Sequence, residues 1–400
     1  MKDSQTNRVD SVKGKARAIW GALIYGSAAL LIVGVQPILL GSLASAGVLN
    51  ESQVGIAAML ELFTLAVGGI AGPVILNTGA LRKRMVAVAI LLIAINLLMP
   101  FFTTALEVFA ARAAAGLIGG LLVGACYLIL AHADNPSKTN AIFMALSAIP
   151  QIAAVYVVPL VVTPLLGTYG GFIVYAVVVG LALLSSVLLP KDTVEQSPEA
   201  TGKLRITPAL VVLLLAITVQ MAGIGAAWSF MERYAQLAGF SSTSIAIAFA
   251  LSLLLQLGGA LAYAWKGENL PYRVVQLLGP VVIAGFILPF ILGIGEVWYI
   301  LLMSAFGFAW LLIQPIQIKF SIDFDPSRWS AVILGPLALI GLSCGPLISA
   351  FFVSDDSVIG AFECSITLLL LSVALFLVAL LLQRSSTASS SFSTEPVRDI

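Results

Sequence analysis

The sequence is short of charge. Only 10% of its 400 residues are Asp, Glu, Lys or Arg, and it holds one histidine. A soluble domain carries about 25% charged residues, so this chain cannot coat a folded surface with water-binding groups. With 60% hydrophobic residues and a mean hydropathy of +1.07, it reads as a polytopic membrane protein. Cysteine is scarce as well. Cys126, Cys344 and Cys364 lie far apart in apolar stretches, with neither metal-ligand spacing nor a disulfide framework, and read as small buried hydrophobes. His132 stands alone and no phosphate-binding G-x-x-x-x-G-K-[ST] loop occurs, so neither an enzyme constellation nor a metal or nucleotide site is read. No bound cofactor is expected; vectorial work would draw on a proton or other ion gradient. No basic stretch with interleaved aromatics suggests nucleic acid. The first apolar run is too long for a signal-peptide core.

Twelve apolar segments are long enough to span a bilayer, near residues 19–42, 53–75, 84–102, 106–131, 141–164, 168–189, 207–230, 243–265, 272–293, 297–318, 329–352 and 358–382. A spanning segment needs about 20 residues. They show no barrel-like alternation, so they are read as helices. Of the 20 lysines and arginines, all but Arg112 and Arg233 fall on one side of this segmentation. The positive-inside pattern makes that side, and both termini, cytoplasmic. The expected organisation is a cytoplasmic segment 1–18, a six-helix half 19–190, a polar linker 191–206, a second six-helix half 207–383 and a Ser-rich disordered tail 384–400. The short loops suggest a prokaryotic inner membrane, with the chain working as a monomer in the lipid bilayer.

The stretch Glu107 to His132 concentrates the interest. Arg112 lies about one and a half turns inside a spanning segment, where a charge costs roughly 2.5–3.5 kcal/mol on insertion scales and should face protein or water. Gly116, Gly120 and Gly124 follow at four-residue spacing and form a face that lets another helix approach closely. Glu61 sits at a comparable depth in the second segment, which runs in the same direction. Paired, the two charges would lower each other's cost. Such a pair is a minimal proton-coupling element, because protonating Glu61 would release Arg112. The competing reading is a static ion pair that fixes helix packing.

The chain also repeats at an offset of about 190 residues. Asn135-Pro136-Ser137-Lys138 before the fifth segment echoes Asp325-Pro326-Ser327-Arg328 before the eleventh, and Gly68-Gly69 echoes Gly258-Gly259. At this offset Glu61 maps to Leu251 or Ser252 and Arg112 to Leu302 or Met303, so the second half carries no such charges. A parallel repeat of six helices places a binding site between the halves near the membrane midplane. Arg112-Ala-Ala-Ala-Gly116 resembles the helix-four motif of the major facilitator superfamily. Gly72-Pro-Val-Ile-Leu-Asn-Thr-Gly79 with Arg82, Lys83 and Arg84 resembles its gating loop between helices two and three, with Leu76 and Asn77 where that family has an acid and a base. Pro150 and Pro159 occur in the fifth segment without the family's glycine-rich antiporter motif.

The resemblance implies an all-α membrane protein of two pseudo-symmetric six-helix halves. It also implies that helices one, four, seven and ten line a central cavity for a small-molecule substrate. On them lie Tyr25, Gln36, Tyr127, Gln220, Trp228, Trp310, Gln314 and Gln317. Aromatic bodies with a few amides suit a small amphipathic organic solute. Glu232-Arg233 at the outer end of the seventh segment reads as an interfacial anchor, an outer gate or a cavity carboxylate. The expected function is a secondary transporter, in the proton-coupled exporting sense. One alternative is an uptake symporter or facilitator whose Arg112 binds an organic anion. Another is a non-transporting receptor or assembly factor on the same scaffold.

Overall fold

The computed structural model describes residues 2–131, 133, 136–193, 206–266, 270–325 and 329–392. Most of the linker and the last eight residues of the expected tail therefore lie outside the described residues, as do His132, Asn135 and Pro326 to Arg328 of the repeat. Among the described residues, twelve helices cross the molecule. We label them α1 (Lys2–Ala29, continuing as Leu31–Ser45), α2 (Glu51–Ile75), α3 (Leu81–Leu97), α4 (Ala105–Ala131), α5 (Pro136–Val157, extended by Val158–Val162 and Thr163–Leu166), α6 (Gly170–Leu183, ending in Leu184–Leu188), α7 (Pro208–Leu237), α8 (Ser242–Lys266), α9 (Tyr272–Leu292), α10 (Glu296–Phe324), α11 (Trp329–Ser349) and α12 (Ile359–Phe392). Ten contain a stretch long and apolar enough to cross a membrane. Helix α3 is 17 residues long, about 26 Å, and α11 holds the shorter apolar stretch Leu337–Ser349. The end of the bundle where α1 enters and α12 leaves is called proximal, the other distal.

Local chemistry sets the breaks. Asn50 Oδ1 accepts from the Gln53 backbone N–H and the Asn50 backbone N–H donates to Gln53 Oε1, each at 2.9 Å, a reciprocal cap that starts α2. Thr207 caps α7 just ahead of Pro208, a residue suited to the first helical position. Pro159 sits in a π-turn within α5, where its missing N–H is tolerated. Helix α12 runs through Phe392, beyond residue 384, where the tail was expected to begin. No glycine or proline interrupts Arg384 to Phe392, so the helix continues from its leucine-rich run.

The repeat is written in backbone contacts, and its offset is 191. A Cβ added to Gly116 would strike the Glu61 carbonyl, and one on Gly307 would strike the Ser252 carbonyl. Gly68 meets the Leu117 carbonyl as Gly259 meets that of Phe308, and Gly34 meets the Gln151 side chain where Gly225 meets the Leu342 carbonyl. Each residue in these pairs has its partner 191 positions on. Small residues let helices approach closely where lipid gives no hydrophobic drive to associate. The result is two pseudo-symmetric six-helix halves, α1–α6 and α7–α12. They meet along a seam where α2 packs on α11, α5 on α8, and the second piece of α1 on α7.

Candidate functional site

Arg112 and Glu61 are the charged centre of the first half. Arg112 Nη1 lies 3.0 Å from Glu61 Oε1, with the side chains 0% and 1% exposed. The glycine face of α4 makes this possible. Gly116 rests on the Glu61 carbonyl, Gly120 on that of Leu65 and Gly124 on that of Gly69, which brings α2 and α4 to backbone contact just below the pair. Three more helices close around it. Gln36 of α1 donates to Glu61 Oε2 at 3.1 Å. Asn96 of α3 accepts from both Arg112 Nη atoms at 3.2 Å. The Phe172 ring of α6 lies 4.6 Å below the guanidinium, a cation–π contact worth about 2 kcal/mol when desolvated. Gln36 follows the break of α1 at Leu30. There Tyr175 donates to the Ala29 carbonyl at 2.9 Å and Gln151 to that of Leu30 at 3.1 Å. Five helices thus meet at one buried pair.

Equivalent positions in the second half carry no charge. Ser252, Met303, Ile287 and Ala227 stand where the first half has Glu61, Arg112, Asn96 and Gln36, and all four are buried. Aromatic residues fill that region instead. Trp228 meets Phe249 at 5.1 Å and Trp310 at 5.8 Å, and Trp310 meets Phe306 at 6.0 Å. The first-half counterparts of Phe249, Phe306 and Trp310 are Ala58, Ala115 and Gly119.

The seam is bonded at its distal end. Pro37 has no N–H to offer the Val33 carbonyl, one turn back. Trp228 of the other half uses that acceptor through Nε1 at 3.3 Å. Farther out, Ser45 donates to Gln236 Oε1 at 2.8 Å and Ser52 to the Ala350 carbonyl at 2.8 Å. Arg233 of α7 forms an ion pair with Glu51 of α2, and the Glu51 amide donates to Asp355 at 3.3 Å. Glu232 is buried beside them.

The residues expected to line a cavity lie in several places. Gln220 is fully buried within the second half, where its Oε1 accepts from Gln276 at 2.8 Å and Gln317 at 3.1 Å. An amide with two amide partners at hand turns into its own half, so here Gln220 and Gln317 build a polar knot between α7, α9 and α10. Tyr25 is buried, and Trp228 and Trp310 are packed at the seam. Gln314 is partly exposed. Tyr127, 38% exposed, meets Phe143 edge to face. An apolar groove of about 460 Å³ between α8, α9 and α10 is lined by none of these; beside Leu255, Phe286, Leu301 and Phe308 its one polar side chain is the Ser304 hydroxyl, a single group to orient a solute.

The residues of the loop expected to gate make local contacts. Gly72 lies inside α2 against the Leu121 carbonyl of α4, while Gly79 turns the chain with φ at +78°. Arg84 donates to the Ile75 carbonyl at 3.0 Å and to Thr78, covering the end of α2. Arg82 reaches the Leu189 carbonyl from Nε at 2.8 Å and that of Val187 at 3.0 Å, at the end of α6. Lys83 is exposed. With Leu76 buried where an acid would stand, the arginines take helix-end carbonyls, which carry partial negative charge. At the equivalent of Arg82, Arg273 does meet an acid, Asp323, at 3.4 Å.

Sequence reasoning missed Asn96, Phe172 and the Gln276 member of the knot. Asn96 carried a signal, a lone amide within the third apolar segment; a phenylalanine among apolar residues carried none.

Twelve helices in two halves related by 191 positions, with a charged pair buried in one half, define a major facilitator fold. No sequence-family profile matches the chain, and no curated protein resembles it in sequence. Solved structures do resemble it. An alanine mutant of the nucleoside transporter NupG superposes with a TM-score of 0.71 at 16% identity, covering 91% of this chain and 99% of NupG. NupG without that mutation gives 0.68 at 14% identity, covering 91% and 98%. An auto-inhibited POT family peptide transporter gives 0.68 at 11% identity, covering 93% and 96%.

Proposed function

We propose that this chain is a secondary active transporter that works by alternating access. One observation carries the reading: among the described residues, polar bonds that tie the two halves together lie at the distal end of their seam. Two rigid halves that rock about a midplane site need contacts that can be made and broken in this way. By the positive-inside pattern the distal end is outer, so the arrangement is the one closed to the outside. The fold's transporter neighbours support the same reading.

In this reading the Glu61–Arg112 pair couples transport to protons. Protonating Glu61 weakens its hold on Arg112 and leaves the cation with Asn96 and Phe172, which changes how α2 and α4 sit against α1. The exchange is a proton entering against a small amphipathic organic compound leaving. A second reading is proton-driven uptake of a polar solute, which the nucleoside and peptide transporters named among the structural neighbours favour. Direct binding of an organic anion by Arg112 is disfavoured, because Glu61, Asn96 and Phe172 already surround the guanidinium.

The test is solute and proton flux in liposomes holding the purified protein, with pooled small organics inside or outside. Wild type should move a solute and protons together, in opposite directions for export and in the same direction for uptake. Glu61→Gln should abolish proton movement and retain solute exchange. Normal coupling in a folded Glu61→Gln protein would leave the pair a structural tie.

A further inference from the structure

The distal seam holds a second buried acid that the pair does not explain. Glu232 lies on α7, in the segment that packs against the second piece of α1, and is buried. Its Oε1 accepts from the Gln236 side chain. Its Oε2 is buried with no hydrogen-bond partner and presses on Gly41 across the seam, where an added Cβ would overlap that oxygen. The charged neighbours are otherwise engaged. Arg233 is turned to Glu51 and, at 3.2 Å, to Gln236 Oε1. Glu51 adds a negative charge nearby, with Asp355 behind it. Tyr299 of α10 also faces the site and gives its hydroxyl to the Met231 carbonyl at 3.3 Å. Tyr234 of α7 accepts from the Ile294 amide at 3.3 Å.

An ionised carboxylate is stable in such a place only when paired and hydrogen-bonded. Glu61 meets that condition, with Arg112 on one oxygen and Gln36 on the other. Glu232 does not. We propose that Glu232 is a proton-binding site of the outer seam: its carboxyl carries a proton when the halves are closed over it and releases that proton to outside water when they part. The balance is simple. Closing takes one proton from the medium onto a carboxylate oxygen, and opening returns it. Gly41 is the matching half of the site, because any side chain there would displace the acid. The orientation of the site rests on the transport reading above; its protonation does not.

Two measurements test this on the 400-residue chain in detergent. Infrared spectra should show a protonated-carboxyl stretch near neutral pH that is missing in Glu232→Gln, present in Glu61→Gln, and moved in frequency by Glu232→Asp. Spin labels on Ala46→Cys and Ala238→Cys, with Cys126, Cys344 and Cys364 replaced by alanine, report the gap across the seam. The wide-gap fraction of wild type should rise with pH by up to about tenfold per unit, the limit for one linked proton. In Glu232→Gln it should stay low at every pH, and in Gly41→Ala it should be high at every pH. Superimposable wild-type and Glu232→Gln infrared spectra, or a pH response that survives Glu232→Gln, would overturn the proposal. A protonated Glu232 with a pH-dependent gap in a protein that moves no solute would instead sink the transport reading and leave this site standing.

Discussion

The same backbone contact carries different chemistry in the two halves. Gly116 on Glu61 and Gly307 on Ser252 are equivalent close approaches of two helices. Around the first lie a carboxylate, a guanidinium and two amides; around the second lie Met303, Ile287 and an aromatic cluster. Packing has kept the two-fold pattern and polarity has not. The symmetric part is what a pair of helices needs in order to touch in lipid. The asymmetric part lies beyond that requirement, which is why the charged pair is read as functional and the glycines as scaffold.

The sharpest way to break the comparison is to make the first half resemble the second. Arg112→Met installs the residue found at the equivalent position, but it leaves Glu61 buried without its cation. Removing one partner of a buried pair costs about 3–5 kcal/mol. Thermal unfolding in detergent should show a loss of that order. Adding Glu61→Gln removes the stranded charge, so the double variant should be more stable than Arg112→Met alone. A double variant as unstable as the sum of its singles would mean that the two side chains act independently.

Much of the fold was legible because lipid imposes it. Spanning helices follow from apolar length, and the repeat from glycines that had to recur. The meeting of Glu61 with Arg112 followed from equal depth on helices running the same way, and the two lie 3.0 Å apart. What stayed hidden was rotation. These helices are apolar all round, so no polar face marks which side of α7 turns inward. Gln220 points to Gln276 and Trp228 to Val33, partners that nothing in the sequence marks. The Leu76 and Asn77 departures were visible in the loop motif, but the arginines' use of helix-end carbonyls depends on where α6 ends in space.

A smaller effect tests the symmetry itself. Gly116→Ala and Gly307→Ala each drive a Cβ into a facing backbone carbonyl. Overpacking of this kind costs about 1–3 kcal/mol, and the two should agree within about 0.5 kcal/mol if the contacts are equivalent. Unfolding midpoints measured side by side would show it. A large excess at Gly116 would mean that the charged pair stiffens its own half, since backbone that cannot shift cannot relieve the clash.

The smallest effect should appear at the seam. Trp228 reaches the carbonyl that Pro37 leaves free, and the bond crosses from one half to the other. Trp228→Phe keeps most of the aromatic packing against Phe249 and Trp310 but removes the N–H. A neutral hydrogen bond contributes about 1 kcal/mol net, roughly a fivefold change in an equilibrium. Because this bond ties the halves together and not either half internally, its loss should register in the gap between spin labels at positions 46 and 238 more than in the unfolding midpoint. An unfolding midpoint that falls while the gap stays the same would make Trp228 part of the core of its own half, and the seam would then be held by the polar contacts farther out.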